Sequence, residues 1–342
     1  MIFLKAAIYK GKKNIELATL PTPHAGENDV VIQNIFAGIC GSDVAVYNHG
    51  TNTGHKVGNG HEFGHEAVSR VVEVGKNISD FTVGQRVYPY PLYARGDPKR
   101  AGSMGAFSEY ILVPNAQLNH SLYIVPENIS DKKAAMIEPF TVGTCTARHT
   151  HPEKGNNAII YGAGTIGLAA AVALKHFGVE KIIVIDHSAF RLNIAHKLGL
   201  ETINSTQTDV KTRAIEILGA AFGLKGDCPN ADIFMDAVGR NEILNDFIEF
   251  GKIDSRFVAV GVNNQKPDFN LLDLIYGSKS IGGSGGYRPR DVKTVMEIMS
   301  NSKYDLEQLI TAEVDWQHLE SGIQQATDVN HALKVLVNYH NS

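Results

Sequence analysis

Cysteine is scarce in this chain, with three among 342 residues, Cys40, Cys145 and Cys228. They are too scattered to form a disulfide framework, and a reducing cytoplasm is the expected setting. Long apolar runs are missing too: none approaches the ~20 residues that a membrane span needs. The opening Met1–Lys10 stretch is apolar and then basic, the reverse of a secretory signal. Charge is balanced, 32 basic against 36 acidic residues for a net −4, without blocks of either sign. Nucleic acid and anionic membranes are therefore not expected partners. No internal repeat or low-complexity tract is present, and one tryptophan, Trp316, is expected in a core.

What remains is an ordinary globular composition, 43% apolar and 20% charged. At this length a single core would be too large, so two domains are expected. Residues 1–145 read as short strands broken by Pro and Gly, such as Val30–Ile35, Val68–Val74, Arg86–Tyr88 and Phe107–Val113. From Ile137 onward the rhythm changes. Helical sequence at Ala134–Arg148 leads into alternating strands and helices: Ala158–Tyr161, Ile166–Phe177, Lys181–Ile185, Phe190–Lys197, Ala231–Asp236, Ile243–Phe250 and Phe257–Val260. Apolar strands alternating with helices predict a parallel α/β sheet, which Ser280–Gly283 would close. The tail, with helices at Asp291–Ser300 and His318–Thr327 and a strand at Ala332–Val337, is expected to pack back on the first domain.

Between the strand ending at Tyr161 and the following helix lies Gly162-Ala163-Gly164-Thr165-Ile166-Gly167. Glycines at these positions allow a tight turn, a close backbone approach to pyrophosphate, and tight helix–strand packing. The N–H groups of Thr165 and Ile166 at the helix start would face the phosphates. Asp186, ending the next strand, is placed to accept from both ribose hydroxyls and to repel a 2′-phosphate. NAD is thus favoured over NADP, with His187 and Arg191 leaving some positive charge nearby.

Upstream, Gly38-Ile39-Cys40-Gly41-Ser42-Asp43 is followed 25 residues after the cysteine by His65-Glu66, and later by Glu138-Pro139. One thiolate, one imidazole and two carboxylates are ligand types that Zn²⁺ accepts. With Gly84–Val87 and Gly105–Tyr110, these motifs closely resemble, in order and over most of the chain, the zinc-dependent medium-chain alcohol dehydrogenase superfamily. Glu138-Pro139-Phe140-Thr141-Val142-Gly143 looks most like its polyol (sorbitol-type) and threonine dehydrogenase branches.

The resemblance implies an α/β chain of two parts. One is a GroES-like β-rich catalytic domain, residues 1–145 and 287–342; the other is a Rossmann doubly wound parallel-sheet NAD-binding domain, residues 146–286. It implies one catalytic zinc held by Cys40, His65 and Glu66, with Glu138 binding directly or through water. Gly-His-Glu occurs twice, at 60–62 and 64–66. The family places its histidine ten residues before a strand-ending glycine, here Gly75, which selects His65 and leaves His61 as a loop residue or the alternative ligand.

Zinc would acidify the substrate hydroxyl, hydride would pass to the nicotinamide, and Ser42 would relay the proton. Ala45 stands where many relatives carry a relay histidine, so the proton would leave by water, His49 or Tyr47. Asp43 is expected to be structural. Tyr88–Met104 contains no cysteine, so no structural zinc is expected; its aromatics would pack the loop or line the substrate cleft. The expected enzyme oxidises a polyol or secondary alcohol with NAD, as a homodimer or homotetramer. A threonine, diol or sugar-phosphate polyol dehydrogenase is the alternative, and Arg95, Arg100 and Arg288 are possible substrate-anion partners. Different classes are a zinc-free enone or quinone reductase and a non-catalytic NAD-binding protein. The glycine-rich Gly282–Arg288 stretch is read either as part of a subunit contact, which the resemblance implies at the edge of the nucleotide-binding sheet, or equally as a flexible linker returning to the first domain.

Overall fold

Turns punctuate the first third of the chain as its Pro and Gly predict, but the computed structural model makes four of the strands there longer than expected, 8–10 residues each. It describes residues 3–51, 53–301 and 303–339. The contacts divide the chain into two units, Met1–Glu138 with Met299–Ser342, and Pro139–Ile298.

In the first unit, β1 (Phe3–Gly11) and β2 (Asn14–Pro21) form a hairpin, and β3 (Val30–Ile39) runs through the core. Helix α1 (Gly41–His49) follows, then β4 (His61–Glu62), β5 (Glu66–Val74), β6 (Arg86–Pro89), β7 (Tyr110–Val113), β8 (Leu122–Ile124) and the short α2 (Asp131–Ala134). Strand β3 is buried almost throughout, because it pairs with β5 on one side while β7 also bonds to it. Helix α3 (Ile137–His149) runs on past Pro139, which is tolerated in a first turn because its missing N–H is unneeded there.

The second unit opens with β9 (Asn157–Tyr161), followed by α4 (Thr165–His176), β10 (Lys181–Asp186), α5 (Ala189–Lys197), β11 (Glu201–Asn204) and α6 (Val210–Leu218). A hairpin of β12 (Ala220–Gly223) and β13 (Gly226–Pro229) precedes β14 (Ile233–Asp236), α7 (Asn241–Phe250), β15 (Arg256–Ala259), α8 (Leu271–Gly277), β16 (Ser280–Gly283) and α9 (Pro289–Ser300). The parallel sheet has the order β11-β10-β9-β14-β15-β16. Numbered within the unit this is 3-2-1-4-5-6, the doubly wound dinucleotide-binding topology. Its switch point lies between β9 and β14, at the C-terminal end of β9 where the glycine loop begins.

The chain then returns to the first unit with β17 (Ile310–Asp315), α10 (Leu319–Gln325) and β18 (Lys334–Asn338). These join its main sheet, ordered β17-β18-β3-β5-β6-β8. Trp316 is a core residue: it is buried, and its indole N–H donates to the Phe107 carbonyl at 2.8 Å. Among the described residues no helix is long and apolar enough to cross a membrane.

Candidate metal centre and cofactor loop

Two strand ends build the first site. Cys40 follows β3 and caps α1, where its N–H donates to Asp43 Oδ2 at 3.0 Å. Glu66 opens β5 opposite Gly38 of β3. A β-carbon on Gly38 would lie 2.0 Å from Glu66 Oε2, so only glycine leaves room for this inward carboxylate. His65 precedes Glu66 and is buried with it. Donor atoms of Cys40, His65 and Glu66 lie within 4.8 Å of one another. His61 is exposed on β4 and is not one of the three.

This constellation has polar atoms to spare. Ser42 Oγ, His65 Nδ1 and Glu66 Oε1 are all buried without a hydrogen-bond partner, which is costly unless something else satisfies them. His65 Nδ1 does lie 3.3 Å from Asp43 Oδ1, a charge contact rather than an aligned hydrogen bond. Burial opposes charge on the His65 ring, but Asp43 and Cys40 more than offset this and raise its pKa well above the ordinary value. Burial likewise raises the Asp43 pKa, yet the adjoining histidines and the Cys40 N–H bring it down overall. Soft thiolate, imidazole and free carboxylate oxygen are a donor set that fits Zn²⁺. Glu138 is buried and outside the three-residue group, but close enough for its charge to act on Tyr88 and Lys334.

Two residues absent from the sequence reading border the site. The His55 ring packs edge-on to His65 with centroids 4.3 Å apart, and burial together with His65 pushes its pKa down to about 4. Lys334, at the start of β18, is buried with its ammonium 2.6 Å from Glu66 Oε2 and 3.2 Å from the Ile39 carbonyl. Burial lowers its pKa, but the charges of Glu66, Cys40 and Glu138 raise it overall. Of the suggested relay groups, Tyr47 donates its hydroxyl to Glu320 and His49 is exposed.

The cysteine-free stretch after β6 packs as an aromatic cluster. Tyr88 and Tyr90 are fully buried, their rings 6.4 Å apart, and Tyr93 stacks on His120 at 4.1 Å. Arg95 pairs with Glu62 at 3.1 Å, so its charge already has a protein partner.

In the second unit the glycine loop joins β9 to α4, with Gly164 as the helix N-cap. Gly162 has φ +103°, where side chains are strained. A β-carbon on Gly167 would lie 1.9 Å from the Gly162 carbonyl, whereas one on Gly164 would meet nothing nearer than Arg191 Nη1 at 3.9 Å. The loop is therefore closed towards the strand and open at its middle glycine. Asp186, ending β10, accepts from the Ala163 and Ser188 N–H groups, both at 2.8 Å. A carboxylate offers about four acceptor positions, so two donors leave capacity for a diol. Burial lowers the Arg191 pKa, and Asp186 opposes that shift.

Comparison with known proteins agrees with this geometry. Residues 26–124 match the alcohol dehydrogenase GroES-like domain and residues 165–301 match the zinc-binding dehydrogenase family. The "Starvation-sensing protein RspB" of Escherichia coli K12 is 30% identical, over 94% of both chains. Sorbitol dehydrogenase of Bacillus subtilis strain 168 is 27% identical, over 98% of this chain and 97% of that protein. Among solved structures, an alcohol dehydrogenase (rspB) of E. coli CFT073 complexed with cofactor NADH superposes with a TM-score of 0.84 at 25% identity, covering 98% of this chain and 99% of that one.

Proposed function

Because this chain belongs to the zinc-dependent medium-chain alcohol dehydrogenase superfamily, in its polyol and threonine dehydrogenase branch, we propose that it is an NAD-dependent oxidoreductase of a polyol or other secondary alcohol. The observation that carries this reading is the buried convergence of Cys40, His65 and Glu66, with Glu66 Oε1 lacking a protein partner. When bound, zinc would polarise the substrate oxygen, and NAD would accept the hydride.

The chain's own groups divide the remaining work. Cys40, His65 and Glu66 would hold the ion, with Glu138 joining directly or through water. Ser42, whose buried Oγ has no partner, would take the substrate's hydroxyl proton. Asp43 would keep the His65 ring oriented from 3.3 Å. In the second unit, Gly162, Gly164 and Gly167 with the Thr165 and Ile166 N–H groups would cradle pyrophosphate. Asp186 would accept from the ribose hydroxyls and disfavour NADP, with Arg191 beside the loop. One zinc per chain and no structural zinc follow from the cysteine-free stretch at 88–104. The enzyme would be a cytoplasmic homodimer or homotetramer.

Elemental analysis of protein purified without chelators tests this directly. About one zinc per chain, with NAD reduced faster than NADP on a panel of polyols, diols and threonine, is the expected result. A chain that takes up no zinc after reconstitution would overturn it. NADH binding without turnover on any alcohol would instead assign a cofactor-binding protein.

A further inference from the structure

Lys334 is buried 268 positions along the chain from Glu66, yet its ammonium lies 2.6 Å from Glu66 Oε2. A buried ammonium is expensive unless charge and hydrogen bonds compensate it. Here they do: the second partner is the Ile39 carbonyl at 3.2 Å, the residue directly before Cys40. Strand β18 pairs with β3 at Val335–Ile39 and Leu336–Gly38, so the sheet register delivers this lysine to both metal-facing strand ends. Glu66 therefore has one oxygen engaged and one, Oε1, without a partner.

We propose that Lys334 is a positioning residue of the metal centre, holding Glu66 by one oxygen so that its grip on the ion stays partial and a coordination position remains for substrate. The charges agree. A Cys40 thiolate and the Asp43, Glu66 and Glu138 carboxylates would bring four negative charges against two on Zn²⁺, and Lys334 would reduce the excess to one. Without it, Glu66 is drawn fully to the metal, and the metal-free site holds a larger uncompensated buried charge. A catalytic zinc site needs its open position, which a fourth firm protein ligand removes.

The inference rests on Cys40, His65 and Glu66 being zinc ligands; a wild-type chain that binds no zinc would remove that reading and not test this one. Zinc affinity, measured by competition with a chromophoric chelator, decides it. Glu66→Gln removes the nearest charge that opposes the lysine beside the ion and is expected to weaken zinc binding at least tenfold. Adding Lys334→Met to that variant is expected to recover at least tenfold, because the repulsion is gone. Removing both members of the Glu66–Lys334 pair leaves neither of those two charges buried alone, so the double variant should fold. In the single variant Lys334→Met, Tm should fall further without zinc than with it, so the zinc-induced rise in Tm widens. A double variant that binds zinc no tighter than Glu66→Gln, or equal losses of Tm with and without zinc, would reduce Lys334 to a structural ion pair and overturn the proposal.

Discussion

Cys40 and Cys145 are both free thiols, yet their surroundings differ in kind. Cys40 is partly exposed, at a helix N-terminus, among the metal-ligand candidates. Cys145 is buried in α3 with its thiol 3.0 Å from the Gly286 carbonyl, and burial with the Asp291 charge pushes its pKa up to about 11. Since the thiolate is the nucleophile, Cys145 should stay unmodified by iodoacetamide at pH 7.5, as should Cys228, whose pKa burial also raises. Cys40 should alkylate in zinc-stripped protein and be protected at least tenfold when zinc is restored. Peptide mass spectrometry reads all three; equal Cys40 labelling with and without zinc would remove it from the ligand set. Cys40, His65 and Glu66 could be found in the sequence because each sits inside a short motif with its neighbours. Lys334 could not, since in Leu333-Lys334-Val335 nothing local marks it as inward-facing, and its partner lies 268 positions earlier. His55 was hidden for the same reason: its significance is a packing contact with His65, carried by no spacing rule.

At the level of elements, glycine separates folding from binding within one loop. A methyl group on Gly167 would collide with the Gly162 carbonyl at 1.9 Å and force α4 away from β9, while Gly164 has room. Overpacking of this kind costs about 1–3 kcal/mol, so Gly167→Ala should lower Tm visibly and weaken NADH binding with it. Gly164→Ala should leave Tm near wild type but weaken NADH binding at least tenfold, because the added methyl occupies the path by which pyrophosphate would approach the backbone. Differential scanning calorimetry and NADH fluorescence separate the two effects; a Gly164→Ala chain that binds NADH normally would place the phosphates elsewhere. Apolar strands such as β9, β10, β14 and β15 were legible because burial on both faces writes them as continuous hydrophobic runs. The outer strand β11, Glu201-Thr202-Ile203-Asn204, carries no such run and was missed. Helix α8 escaped notice because its apolar residues face outward, so their spacing does not report a core. The β12–β13 hairpin turns through Leu224-Lys225, neither of which is a turn-forming residue.

For the molecule as a whole, the telling surface is the far edge of the second unit's sheet. Strand β16 pairs with β15 on one side only, and its four residues are all exposed. Ile281 on the strand and, in the preceding helix α8, Leu271, Leu272, Ile275 and Tyr276 are exposed by 40–70%, an apolar concentration that a solvated enzyme surface does not need. An open strand edge is self-complementary: a two-fold axis lays the same strand of a second copy antiparallel against it, satisfying both rows of backbone groups. Gly282 and Gly283 add no side chain to obstruct that approach. The proposed homo-oligomer would use this edge, with a second copy of the chain as its occupant. Sedimentation equilibrium should find a dimer or a multiple of one at micromolar concentration, with Tm rising as protein concentration rises. Ile281→Lys, placed on the exposed edge, should shift the equilibrium to monomer and abolish the concentration dependence of Tm, while zinc content stays unchanged because the ligands belong to the other unit. A wild-type chain that is monomeric across that range would leave the exposed apolar face without a second copy to cover it, and the homo-oligomer assignment would fall with it.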